Sequence, residues 1–284
     1  SKNLKDEKIL NFEKKNDHFF SMVKNYQLYD YLISELKKNS FFKLKKNIGI
    51  EKLIKKNYGL IINCDPNNLL SKNFFYSKMQ KDYKSYAHIT IIKHKKMLDN
   101  NTASQIFTEL GPIAFLPVSE NETSIVYSAK GDKDINFKNI IKKYNLKYLI
   151  TEVGQTYTLK LKSSNLRAYS DGKILAFGDL LHKVHPLAGQ GFNMIIRDIK
   201  LLLNLVKFKI EHGMDLDSSI CIDFEKEIKH KNYLFSNGID SIYEFFNLES
   251  QLNVSILSKS IQFLGKNKYV NNFLSKIADK GISI

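Results

Sequence analysis

A chain of 284 residues with 43% hydrophobic residues and 19 Phe can bury one large or two moderate cores, which excludes a disordered polymer. No run approaches the ~20 apolar residues of a membrane span, and the Lys-rich start lacks the apolar segment of a secretory signal, so a cytoplasmic setting is expected. The formal charge of +15 invites polyanions, but Arg167 and Arg197 are the only guanidinium forks; the scattered lysines read as solvated faces, and nucleic acid is not an expected partner.

In chain order, residues 20–40 read as a helix carried by Leu28, Leu32, Ile33 and Leu36, after which a strand region runs to Cys64. Asp65 follows, either as a plain turn residue or as a carboxylate presented at a strand end. From Tyr86 to Lys130 the pattern alternates, as in Ala87–Ile92 and Thr123–Ser128, with Pro117 and Gly131 as punctuation, which predicts an antiparallel sheet. His88 and His94 are expected as strand and loop residues. A short helix over Lys138–Tyr144, a strand over Thr156–Leu161 and a short buried strand over Lys173–Phe177 come next. Met194–Val206 carries helical spacing, and everything beyond it reads as helix. Ile220, Phe224, Ile228, Phe235, Ile239, Ile242 and Phe246 form one stripe, with Gly238 marking a break into two helices, and Val270, Phe273, Leu274 and Ile277 form another; both are core faces. Cys64 on a strand and Cys221 near a helix start are expected to be reduced packing residues.

The chemistry concentrates between Gly178 and Asn193, where a strand end, a glycine turn and a helix start follow one another. Gly189 and Gly191 let the backbone approach a ligand closely. The helix beginning near Gly191 turns unpaired N–H groups and its positive dipole end outward, which suits an electron-rich ring edge or an anion. Asp179 stands where it could accept hydrogen bonds from ligand hydroxyls. His182 and His185 have H-x-x-H spacing but lack further metal ligands. Arg197, beside Asp198, is either half of a surface helix pair or held for a local reason. Without a G-x-S-x-G elbow, a Walker loop or a C-x-x-C pair, acyl transfer and nucleotide hydrolysis have no local support.

The same block resembles the second flavin-binding motif of the class A flavoprotein aromatic hydroxylases, in particular their ubiquinone-biosynthesis (UbiH/UbiF-type) branch, G-D-A-A-H-x-x-H-P-x-A-G-Q-G-x-N-x-G-x-x-D. It matches at Gly178, Asp179, His182, His185, Pro186, Ala188, Gly189, Gln190, Gly191, Asn193 and Asp198, and departs at Leu180, Leu181 and Ile195, where the family prefers small residues. Two further blocks fall in the same order: Tyr58–Asn68 resembles the family's strand followed by Asp-Gly, with Pro66 where the family has Gly, and Gly111–Pro117 resembles its G-P-x-A-x-L-P strand. The G-x-G-x-x-G unit that opens the family is absent; the one G-x-G among thirteen glycines is Gly189-Gln190-Gly191. The chain therefore looks like a family member lacking its front.

The resemblance implies an α/β (α+β) fold: a partial FAD-binding, Rossmann-like domain of the p-hydroxybenzoate-hydroxylase type (1–70 and 150–210), an antiparallel-sheet substrate domain (71–149) and a C-terminal helical region (211–284). It implies an oxidoreductase, a monooxygenase that uses FAD, with NAD(P)H as electron donor, to hydroxylate the ring of a polyprenyl phenol or another aromatic in ubiquinone biosynthesis. Asp65, Gly178, Asp179, Pro186, Gly189, Gln190, Gly191, Phe192 and Asn193 are the implied cofactor-binding residues: Asp179 at the ribityl chain, Pro186 beside the ring, and N–H groups from Gly189 to Asn193 facing negative charge on the reduced flavin. Pro66, in a block that also serves the nicotinamide donor, bears on NAD(P)H use. No catalytic side chain is assigned. Implied partners are a ubiquinone-biosynthesis complex and, through the lysines, a peripheral contact with the inner face of an anionic membrane. The alternative is a catalytically inactive homologue that serves as a scaffold or partner in such a complex.

Overall fold

A computed structural model describes residues 20–46, 49, 58–131 and 133–252, with Lys259 and Gln262. Two sheets organise it. The smaller has the order β1–β9–β8, in which β1 (Ile61–Asn63) runs parallel to β9 (Ile174–Ala176) and β8 (Ser170–Asp171) closes the edge antiparallel. The larger is wholly antiparallel, ordered β10–β7–β2–β5–β4–β3 with β6 also on β2. Its centre is β2 (Lys78–His94), flanked by β5 (Glu122–Lys130) and β7 (Tyr157–Leu166). β3 (Ser104–Phe107), β4 (Pro112–Pro117), β6 (Ile150–Val153) and β10 (His182–Lys183) complete it.

The period-2 pattern explains the packing on both faces of the large sheet. Ile92, Ile113, Phe115, Ile125 and Tyr127 meet Phe137 and Ile141 of α3 (Phe137–Tyr144), a helix capped by the Asn136 side chain at the Asn139 N–H. On the opposite face Tyr83, Ala87 and Leu161 meet Tyr243 of α5 (Ser219–Leu252). His88 and His94 both lie in β2 and are buried, so His94 ends a strand where a loop was expected.

α4 (Gln190–Glu211) and α5 cover the small sheet, and Leu175, Ala176, Leu181, Leu202, Ile220, Cys221 and Phe224 fuse the three into one core. The α5 stripe is buried at Ile220, Phe224, Ile228, Phe235 and Ile239, whereas Ile242 is half exposed. Gly238 does not split it. One helix runs through, because a glycine in an exposed helical position costs only about 1 kcal/mol against flanking anchors that are buried. The second stripe, Val270 to Ile277, and the Phe246 side chain lie outside the described residues.

At the front of the chain one expectation holds and one fails. α1 (Asn25–Lys37) forms within the expected helix, with none of its side chains fully buried. Its tether is the ion pair from Lys24 Nζ to Glu122, 2.6 Å. Cys64 is not a packing residue. It lies past the end of β1 and is exposed, while Cys221 is fully buried and its thiol is pushed up to about 11 by that burial.

Candidate functional site

Because β1 and β9 are parallel neighbours, their carboxyl ends open on the same side of the small sheet. Asn63 pairs with Ala176, and Phe177 donates its N–H to the Asn63 carbonyl at 2.9 Å. Asp65 and Asp179, each just beyond its strand, are thus presented at one edge, and both are exposed. Asp65 also works as a turn residue, accepting the Asn67 N–H at 2.8 Å. The loop containing Pro66 is braced by side chains that the sequence did not single out. Asn68 Nδ2 donates to Asn63 Oδ1 at 2.7 Å, Asn63 Nδ2 donates to Ser71 Oγ at 2.8 Å, and Asn68 Oδ1 caps α2 (Leu69–Phe74) at the Ser71 N–H.

From Gly178 the chain makes a 3₁₀ turn to Leu180, crosses to the large sheet as β10 and returns through a second 3₁₀ turn, Leu187–Gly189, into α4. Leu180, Leu181 and Ile195, the departures from the motif, all pack into the core around β9, which absorbs their bulk. Gly189 adopts φ +64°, a left-handed conformation that an L side chain resists, and so turns the chain into the helix. Gly191 lies in ordinary helical backbone; a Cβ there would meet only Val184 Cγ2, at 3.7 Å. Among the described residues nothing else lies within 4 Å of that position.

No side chain caps α4 and no acidic residue stands in its first turn, so the helix opens with N–H groups available for an external acceptor. Gln190 contributes a buried Oε1 with no hydrogen-bond partner among the described residues. Pro186 is half-buried, and Phe192 and Asn193 are exposed around the same opening. An uncapped helix start, a glycine that leaves room, an unpaired buried amide oxygen and two carboxylates at neighbouring strand ends fit a flat ligand with hydrogen-bonding edges and a hydroxylated arm, which is the chemistry of a flavin with its ribityl chain.

The two histidines of the block do different work, and the described residues contain no group of three or more His, Cys, Asp or Glu able to hold a metal ion. His182 Nε2 meets Asp198 Oδ2 at 2.5 Å with both side chains buried, and Asn232 Nδ2 donates to Asp198 Oδ1 at 3.3 Å. This relay ties the glycine turn to α4 and α5. Its motif positions were visible in the sequence, but a 16-residue separation gives no sign of contact. Asp198 is thereby not the surface partner of Arg197. The Arg197 guanidinium stacks over the Phe235 ring at 4.6 Å, and burial lowers its pKa.

His185 is fully buried, and neither ring nitrogen is hydrogen-bonded among the described residues. Its ring meets Tyr83 edge-on at 4.8 Å and lies 4.3 Å from Tyr243, between the large sheet and α5. Burial, aided by the Lys81 charge, pushes its pKa down to about 4. Tyr83 in turn donates its hydroxyl to Asp240, and Ser85 Oγ lies 3.0 Å from the Tyr243 hydroxyl. A β-bulge in β2 between Asp82 and Tyr86, with Lys84 at φ +50°, aims this pair toward α5.

Residues 128–210 match the family described as FAD binding domain. The chain is 22% identical over 273 residues to the ubiquinone biosynthesis monooxygenase COQ6 of Schizosaccharomyces pombe, described as mitochondrial, covering 78% of this chain and 57% of that protein. It spans about half the length of the curated relatives it matches. Among solved structures, p-nitrophenol 4-monooxygenase PnpA of Pseudomonas putida superposes with a TM-score of 0.62 at 12% identity, covering 78% of this chain and 59% of that one. A variant of HpxO from Klebsiella pneumoniae complexed with FAD superposes with a TM-score of 0.60 at 9% identity, covering 78% and 61%. The likeness shows the fold of this chain: mixed α/β of the p-hydroxybenzoate-hydroxylase type, with an antiparallel sheet and C-terminal helices. The chain thus carries a match to an FAD binding domain and is similar to the ubiquinone-biosynthesis monooxygenases among FAD-dependent hydroxylases.

Proposed function

We propose that this chain carries the flavin-ring and substrate-sheet portion of a monooxygenase that hydroxylates the aromatic ring of a polyprenylated phenol in ubiquinone biosynthesis. The observations that carry the reading are the uncapped start of α4 beside Gly189 and Gly191 and the carboxylates just past the parallel ends of β1 and β9. Bound FAD would supply the redox chemistry and oxygen activation. The protein's own contribution is placement. N–H groups from Gly189 to Asn193, with Gln190 and Phe192, would hold the ring edge where negative charge accumulates. Gly178 and Asp179 would receive the ribityl hydroxyls, Asp65 would close the neighbouring strand end, and Pro186 would lie along the ring. The large sheet, meeting the turn through β10, would cover the ring and exclude water.

NAD(P)H is the proposed electron donor. The proposed setting is a biosynthetic complex at the surface of an anionic membrane. Among the described residues no helix is long and apolar enough to cross one, so contact would be peripheral. The test is reconstitution with FAD of this chain fused behind a glycine-rich βαβ dinucleotide unit, followed by NAD(P)H oxidation with and without a prenylated phenol. Phenol-stimulated oxidation with a hydroxylated product supports the reading. Flavin binding without either outcome would favour a scaffold role.

A further inference from the structure

A groove of about 870 Å³ lies between α5 and the ends of β2 and β7, on the far side of β9 from β1. One face of α5 forms its wall: Ile222, Lys226, Lys229 and Tyr233 recur at helical spacing, with His230 beside them. Arg167, one of two arginines in the chain, faces them from beyond β7, and Met79 stands at the start of β2. The acidic residue in the groove is already engaged. Glu225 accepts the Tyr169 N–H at 2.9 Å and pairs with Lys229 at 2.6 Å. Arg167, Lys226 and His230 make no side-chain hydrogen bond or ion pair within the described structure, so the groove is left cationic.

Its border is apolar and open to solvent: Met79 is 39% exposed, Ile222 59% and Tyr233 46%. Cations flanked by exposed apolar and tyrosine side chains along one helix face match the layering of a bilayer surface, where headgroup phosphates lie above the acyl boundary. None of the proposed flavin residues lines this groove.

We propose that this groove seats the headgroup of an anionic phospholipid, with Arg167, Lys226, Lys229 and His230 on the phosphate and Ile222, Met79 and Tyr233 at the acyl boundary. The proposal rests on the peripheral-membrane part of the reading above and gives it a location.

Co-flotation of the full chain with phosphatidylcholine vesicles, and with equimolar phosphatidylcholine and phosphatidylglycerol, tests it. The parent should bind only the anionic vesicles and should dissociate in high salt. Arg167→Ala with Lys226→Ala should weaken partitioning about 30-fold. Lys138→Ala with Lys142→Ala, the same charge loss on α3 across the large sheet, should leave most of the binding. Tyr233→Ser, which removes no charge and lies at an exposed position, should lower the binding that survives in moderate salt. Melting temperatures equal to the parent's show that each variant is folded. If the parent binds but the groove pair weakens it no more than the α3 pair does, the groove assignment is overturned and membrane contact survives. A parent that binds neither vesicle overturns both.

Discussion

His185 makes stability depend on pH. Burial holds its folded pKa near 4 against an ordinary 6.5, so between those values the unfolded chain takes up a proton that the folded chain does not. Stability contributed by the neutral ring is therefore complete above 6.5 and lost as pH falls toward 4, by about 3 kcal/mol at the bottom of the window. His185→Phe keeps an aromatic ring between Tyr83 and Tyr243 without the titration, and urea unfolding across that range should give a flatter stability profile; an unchanged slope would place the titrating group elsewhere. Asp198 makes the opposite kind of demand. Asp198→Ala leaves His182 and Asn232 without their buried partner and should cost about 3 kcal/mol, seen as a lower denaturation midpoint at unchanged m-value. The motif marked His182, His185 and Asp198 in the sequence. Which of them pair could not be read there, because a contact between β10 and α4 is set by how the two sheets meet.

At the level of elements, alternation in Ala87–Ile92 and Thr123–Ser128 and the apolar run at Ile174–Ala176 were legible, since each strand's burial follows from a short local pattern. The α5 stripe was legible for the same reason, and its core side carries a large stability term. Phe224→Ala, at a fully buried site against Phe177, should cost about 3–5 kcal/mol, measurable by calorimetry. Three features were not legible. Continuity through Gly238 depends on tertiary anchors at Phe235 and Ile239. The bulge that turns Tyr83 toward Asp240 has no turn dipeptide to announce it. The exposure of α1 depends on which neighbours its apolar face meets, which the helical period of Leu28, Leu32 and Leu36 cannot say.

For the molecule as a whole, the two parts of the proposed site lie on different sheets, and the run from Gly178 to Gly189 pairs with the large sheet at β10, so on the proposed reading His182 and β10 would couple ring binding to the placement of that sheet. The pyrophosphate and adenosine of FAD ordinarily rest on a glycine-rich βαβ turn, and the 284 residues contain no G-x-G-x-x-G. This chain by itself should therefore bind FAD weakly, and calorimetric titration should show an affinity that rises when a βαβ unit is fused in front; tight stoichiometric binding by the chain alone would show that the turn around α4 suffices.

Gly191 is where the fold and the proposed flavin make different demands: a Cβ there meets only Val184 Cγ2 among the described residues, and the proposed ring edge would leave no room for it. Flavin titration of the βαβ-fused chain and its Gly191→Val variant, with melting curves of both, separates the two requirements. Equal melting temperatures and loss of bound yellow chromophore in the variant are expected, because a Cβ at 191 makes only an ordinary contact with Val184 Cγ2, at 3.7 Å, whereas on the proposed reading the side chain would occupy the space of the ring edge. A folded Gly191→Val protein that retains the chromophore at parental affinity would contradict it.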